Sequence, residues 1–136
     1  MTSPTPRTDL STRIDVEALL RHFYGRAMTD DVLYEPFAPI RAMGLDAHLP
    51  VMCDFWETVL FGSGAYEGSV FRIHLHLHEQ YTLTTEHFGR WLALWIVAVD
   101  ERHDGPIADR AKLQANRMAS AMSRRLCMPR PTDSSA

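Results

Sequence analysis

The feature that most constrains the fold is the stretch at residues 82–101, TLTTEHFGRWLALWIVAVDE, in which apolar residues fall on nearly every side of a helix. It opens with a threonine cap and the early Glu86, and Asp104-Gly105-Pro106 follows its end. A helix that is apolar nearly all round is typical of the centre of a helical domain. We therefore expect this helix to be buried among the others.

Other segments also place apolar residues at helical spacing, namely 14–28, 46–61 and the stretch from Pro106 onwards. Because proline is tolerated only in a first turn, Pro50 predicts that the second helix begins close to His48 or is irregular there. The segment TDDVLYEPFAPI predicts a turn or a single helical turn, followed by a loop. No segment alternates with a two-residue period except LHLH, so the chain is predicted to be all-α.

Length and composition indicate one domain, predicted at 13–128, with disordered tails at 1–12 and 129–136. A net charge of −3 lacks the basic excess that nucleic-acid binding usually needs. No apolar run approaches 18 residues, so we expect no membrane span, and the N-terminus lacks the apolar core of a secretory signal. Two distant cysteines, outside any CxxC pair, suggest reduced thiols in an intracellular, cytoplasmic protein.

Three histidines lie two residues apart in FRIHLHLHEQ, at His74, His76 and His78. On a strand they would share one face and suggest a zinc or copper cluster. On a helix, His74 and His78 would lie one turn apart while His76 pointed elsewhere. Because an isolated strand would have no partner, the helical or turn interpretation is favoured. His22, His87 and His103 are predicted to be solvated.

A larger pattern is spread over the chain in a fixed order. It consists of FY at 23–24, a phenylalanine at 37, a histidine at 48, FW at 55–56, YEG at 66–68 followed by His74, and HFGRWLALW at 87–95. Together these resemble a truncated haemoglobin, most closely the third group of that family, from about residue 14 to about residue 126. The glycine-pair motifs of the other groups are absent. The resemblance implies a globin-like, two-over-two helical sandwich around haem.

The resemblance also implies an iron ligand. The family's proximal histidine follows the tyrosine of a Tyr-x-Gly motif by eight positions, and here Tyr66 leads to His74. His74 is therefore the expected metal ligand. His78 is the rival one turn later, and His76 is expected to point away from the haem.

Five further residues are implied on the cofactor's distal side. Tyr24 matches a tyrosine that donates a hydrogen bond to the bound ligand, and Trp91 matches a tryptophan whose indole N–H faces it. His48 matches the distal histidine, often discussed as a gate. Phe37 would wedge against the haem, and Met52 would line the pocket.

The function that the resemblance implies is reversible binding of O₂, or of NO or CO, at a b-type haem that is not covalently attached, since CxxCH is absent. The enzymatic alternative is NO dioxygenation or a peroxidase-like reaction. An electron-donating reductase is an expected partner, and the chain is expected to be a monomer or a weak homo-oligomer. A non-haem alternative is a helical interaction domain, or a zinc protein that uses His74 and His78.

Overall fold

The computed structural model describes residues 7–127, which form six helices and no β-strand. The helices are α1 (Arg13–Ala27), α2 (Ala38–Met43), α3 (Leu45–Phe61), α4 (Val70–Tyr81), α5 (Thr85–Arg102) and α6 (Pro106–Cys127). None of these helices has the length and apolar character needed to cross a membrane. The all-α prediction is confirmed.

Helix ends follow local sequence signals. Thr12 caps α1 by accepting a hydrogen bond from the backbone N–H of Asp15, whose carboxylate accepts the N–H of Thr12 in return. Thr84 caps α5 in the same way, but its partner is His87 and not the acidic residue expected from the sequence. Gly62, with a φ of 69°, ends α3 in the left-handed conformation that glycine adopts without strain.

The helices pack in two layers. α1 packs on α3, and α5 packs on α6 after a connection of only three residues, so that α5 and α6 form an antiparallel pair. Contacts of α1 with α5 and of α3 with α6 join the two layers. α4 contacts α6, and α2 contacts α3. The arrangement is the predicted two-over-two sandwich.

Tryptophans and phenylalanines fill the space between the layers. The Trp56 ring stacks on the Trp95 ring at 4.4 Å, and Phe23 meets Trp95 edge-on at 5.3 Å. The Trp95 indole N–H donates to the Ala111 carbonyl at 3.2 Å, which satisfies the polar atom of this buried side chain. α5 is nevertheless not buried all round as predicted, because Val97 is 45% exposed on its outer side.

Residues 7–10, here called the N-terminal strap, correct the predicted tail at 1–12. Leu10 is only 1% exposed, and Thr8 pairs with His103 at the connection between α5 and α6. The Asp9 carboxylate accepts hydrogen bonds from the N–H groups of Ile107 and Ala108, at 3.0 and 2.8 Å, and so caps α6. The predicted tail therefore does not extend to these residues, whereas residues 1–6 and 128–136 lie outside the described part of the chain.

His103 was expected to be solvated and is buried instead, at 6% exposure. Its Nδ1 donates to the Thr8 carbonyl at 3.0 Å, so the strap covers it. The burial depends on a segment 95 residues away in sequence, which local spacing cannot reveal.

The segment between α1 and α3 also differs from the prediction. Residues 38–43 form a short helix that overlaps the predicted helical turn and extends into the loop expected after it, and α3 begins at Leu45, three residues before His48. Pro50 is consequently the sixth residue of α3. Because Pro50 has no N–H, the Asp46 carbonyl lacks its usual helical hydrogen bond. Asp46 is exposed, so water can supply the missing donor.

Candidate functional site

A cavity of about 340 Å³ lies between the helices, and all six helices contribute to its walls. Its described lining is mostly aliphatic and aromatic and contains no Arg, Lys, Asp or Glu. The volume falls within the usual range for small-molecule and cofactor sites. The six site residues expected from the sequence all line it, namely Tyr24, Phe37, His48, Met52, His74 and Trp91.

His74 projects into the cavity from α4. Ser69 caps this helix by accepting the backbone N–H of Arg72 at 3.2 Å, and Val70 begins it. The His74 Nδ1 lies 2.8 Å from the Val70 carbonyl oxygen, one turn back. Because a carbonyl can only accept, Nδ1 carries the proton and Nε2 keeps its lone pair. Burial lowers the pKa of His74, which favours the neutral imidazole that binds metal ions.

The other two histidines of α4 are placed differently. His78 does not line the cavity, and its Nδ1 accepts the backbone N–H of Leu83 at 2.9 Å. His76 is mostly in solvent and reaches the cavity only at its edge. Within residues 7–127 no group of three His, Cys, Asp or Glu side chains is arranged to hold a metal ion. This arrangement does not support a multi-histidine zinc centre.

Tyr24 and His48 form a polar pair in the opposite wall. The Tyr24 hydroxyl oxygen lies 3.3 Å from His48 Nε2, and the Tyr24 ring lies 5.9 Å from that of Phe37. Burial raises the pKa of Tyr24 and lowers the pKa of His48. Both groups are therefore uncharged at neutral pH, and they share one hydrogen bond.

Trp91 and Met52 complete this wall. The Trp91 ring is parallel to that of Trp95 at 6.1 Å and meets Phe23 edge-on at 6.0 Å, so its orientation is fixed by aromatic neighbours. The described residues offer no acceptor for its indole N–H. Met52 lies one turn after His48 on α3 and is half-buried.

Several lining residues were not identified as site residues from the sequence. Tyr66 packs edge-on against Phe55 at 5.3 Å, and its ring lies directly over Gly68. A Cβ on Gly68 would come 2.6 Å from the Tyr66 hydroxyl oxygen, so the position admits only glycine unless Tyr66 moves. This contact gives a physical reason for the Tyr-x-Gly spacing that precedes α4.

The rim also contains two residues without an earlier role, Gln80 and His87. His87 was expected to be solvated but is half-buried, with its Nδ1 accepting the Thr84 N–H at 3.1 Å. The remaining missed residues are apolar and come together only in the fold. They include Leu77, Phe88, Met118 and Met122.

No protein-family model matches the sequence, and a comparison with curated proteins finds no match either. Among solved structures, the chain is similar to the crystal structure of a group III truncated hemoglobin from Campylobacter jejuni, with a TM-score of 0.79. The similarity covers 89% of this chain and 95% of that chain, at 21% sequence identity. The chain therefore has the truncated-globin fold.

Proposed function

We propose that the chain is a haem protein that binds O₂, or NO or CO, reversibly, and that it belongs with the third group of truncated haemoglobins. The observation that carries this proposal is the state of His74. Its Nδ1 is bound to the Val70 carbonyl, and its Nε2 lone pair is left free at the wall of an apolar cavity. A proximal haem ligand needs this tautomer and this second hydrogen bond.

The cavity residues fit a b-type haem. The aromatic and aliphatic lining suits a flat apolar macrocycle, and no charged lining residue opposes it. His74 would hold the cofactor from one wall, with Phe37 and Met52 contacting it from the other. When bound, the haem would supply an iron atom that takes a diatomic gas as ligand.

The polar groups of the distal wall would act on that ligand through hydrogen bonds. The Trp91 indole N–H has no protein acceptor among the described residues and would donate into the cavity. Tyr24 can do the same when His48 carries its proton on Nε2 and donates to the Tyr24 oxygen. In the other tautomer, His48 Nε2 accepts a hydrogen bond from the Tyr24 hydroxyl. The hydroxyl then does not donate into the cavity. The low-dielectric walls strengthen each of these bonds.

NO dioxygenation or peroxidase-like chemistry is the second candidate function, favoured by the same Tyr24–His48 pair. Two uncharged groups that share one proton at 3.3 Å can hold or pass a proton within the cavity. Several donors in one pocket also favour slow release of O₂, which suits chemistry better than transport. An electron-donating reductase would keep the iron ferrous in either case. Turnover of NO by the oxygenated protein distinguishes the two functions.

The first experiment is an absorption spectrum of the purified protein with added hemin, for the wild type and for His74→Ala and His78→Ala. The wild type and His78→Ala should show an intense Soret band. His74→Ala should lose the band or shift it to the shape of free hemin, because the His74 ring has its Nδ1 bound to the Val70 carbonyl and its Nε2 free at the cavity wall. His78→Ala is a matched control, since His78 lies one turn away on the same helix and does not line the cavity.

Two outcomes would contradict this assignment. Loss of the band in His78→Ala alone would move the iron ligand by one turn. A chain that shows no haem band in any of the three forms would overturn the haem proposal and favour an interaction domain.

A further inference from the structure

The uncharged lining of the cavity poses a problem for the cofactor that we propose. A b-type haem carries two carboxylate groups on one edge, and a carboxylate that loses water needs hydrogen-bond donors in return. Arginine or lysine would be the ordinary partners, yet the described lining contains neither. Neutral polar side chains at the rim can supply the donors instead.

Three such side chains lie on the two helices that flank the connection from α4 to α5. His76 and Gln80 lie one turn apart on α4, and His87 lies in the first turn of α5. Only residues 82–84 separate the two helices, and all three side chains line the cavity. Because His76 and Gln80 are exposed and His87 is half-buried, they mark a place where the cavity meets solvent.

Each of the three presents a free N–H donor. The Thr84 N–H occupies His87 Nδ1, so the ring carries its proton on Nε2 and can donate from there. Gln80 has an amide NH₂ group with no acceptor among the described residues. His76 has Glu79 as a neighbour at 3.9 Å, too far for a hydrogen bond, so its ring remains available.

We infer that His76, Gln80 and His87 form a carboxylate-binding rim that receives the acidic edge of the porphyrin. The inference rests on the proposed haem function and deepens it, because it assigns the polar half of cofactor recognition to residues other than the iron ligand. The porphyrin would then be oriented with its apolar edge inward and its carboxylates at the α4–α5 corner.

Metal-free protoporphyrin IX tests the rim separately from the iron ligand, because it has no iron for His74 to bind. The full chain is titrated with this diacid and with its dimethyl ester, and binding is followed by porphyrin fluorescence. The diester has the same macrocycle but no carboxylates. The ratio of the two affinities therefore isolates carboxylate recognition in each variant.

The most informative variant is His87→Glu. Glutamate at this position can still accept the Thr84 N–H, so the helix cap is kept while the rim donor becomes an anion. We expect the diacid to bind about tenfold more weakly and the diester to change by less than about twofold. Gln80→Leu, at an exposed position, should weaken the diacid by about threefold. His22→Gln is the control, since this half-exposed histidine lies outside the cavity.

The outcomes separate the two proposals. Selective weakening of the diacid by His87→Glu and Gln80→Leu, with His22→Gln unchanged, supports the rim. If both rim variants leave the ratio of diacid to diester unchanged while hemin still gives a Soret band, the rim is wrong and the haem function stands. If neither hemin nor either porphyrin binds, both proposals are overturned.

Discussion

The two walls of the cavity are built very differently. α1 and α3, which carry Tyr24 and His48, each place at least five buried residues in the core, whereas α4, which carries His74, has none. Among the described helices α4 approaches α6 most closely, while α1 packs on both α3 and α5. The wall that carries Tyr24 and His48 is thus part of the frame of the domain, and the wall that carries His74 is a helix attached to it.

The difference shows which contacts fix the side-chain positions in each wall. Aromatic packing on several sides fixes Tyr24 and Trp91, so their positions depend on the whole core. His74 is instead oriented by a carbonyl of its own helix, at Val70, and the helix is held by its two ends. Ser69 caps the first turn, and Thr82 closes the last one with a positive φ of 51°.

The largest expected effect comes from a substitution in the packed core between the two helix layers. Trp95→Ala should lower the free energy of unfolding by about 3–5 kcal/mol, because it leaves a cavity beside Trp56 and removes the indole hydrogen bond to the Ala111 carbonyl. Urea unfolding followed by circular dichroism measures it. Val97→Ala, on the exposed side of the same helix, should change stability by less than about 0.5 kcal/mol. Equal effects of the two variants would show that α5 is not the centre of the core.

A matched pair of cap deletions compares the walls directly. Thr12→Ala and Ser69→Ala each remove a side-chain acceptor from a helix N-terminus, worth about 1 kcal/mol. We expect Thr12→Ala to lower the urea midpoint, because α1 unfolds only with the domain. Ser69→Ala should mainly speed amide hydrogen exchange within α4. A similar shift of the midpoint in both variants would mean that α4 is as firmly integrated as α1.

Strain at the other end of α4 gives a smaller effect of opposite sign. A β-branched residue with a positive φ is strained, so Thr82→Gly should slow hydrogen exchange at the end of α4 by the equivalent of about 0.5–1 kcal/mol. Thr82→Ala is the control, since alanine keeps most of the backbone strain. If alanine stabilises α4 as much as glycine does, the side chain and not the backbone conformation is responsible.

The smallest effect expected of a single side chain is a dependence on pH that both walls share. Burial lowers the pKa of His48 and His74 below the ordinary 6.5, so the unfolded chain takes up protons first as the pH falls. Stability should therefore decline below pH 6.5, by at most about 0.8 kcal/mol per histidine at pH 6. Urea unfolding of the haem-free protein at pH 7.5 and pH 6 measures this loss.

The variants His48→Leu and His74→Leu assign that loss to its sources. Each should make unfolding less sensitive to pH, because leucine removes one group that must be neutral in the fold. A wild-type protein that is equally stable at both pH values, or variants with the wild-type dependence, would contradict the burial of neutral imidazoles.

Much of the frame could be predicted from the sequence because it depends on local patterns. Apolar spacing identifies four of the helices, and the helical interpretation of the histidine stretch agrees with α4. Pro106 begins α6 as its fixed φ suggests. One error arises where a distant segment decides, at His103, which the strap buries. Another arises within a single helix, at Pro50, which α3 accommodates beside an exposed Asp46.

The features of the candidate site also divide into those that spacing predicts and those that only the fold reveals. Spacing and the family resemblance name residues that prove to line one cavity, although their roles stay predictions. They do not reveal that His78 is turned away to accept the Leu83 N–H, or that Thr84 fixes the tautomer of His87. Such details follow from backbone groups whose positions exist only after folding.

The N-terminal strap has a consequence for the order in which the chain folds. Asp9 caps amides that lie 98 and 99 residues further along, so the first turn of α6 receives its cap from the opposite end of the chain. Contacts of such long sequence separation form late. The strap should therefore dock only after α5 and α6 have paired, and during synthesis it must wait until α6 has emerged from the ribosome.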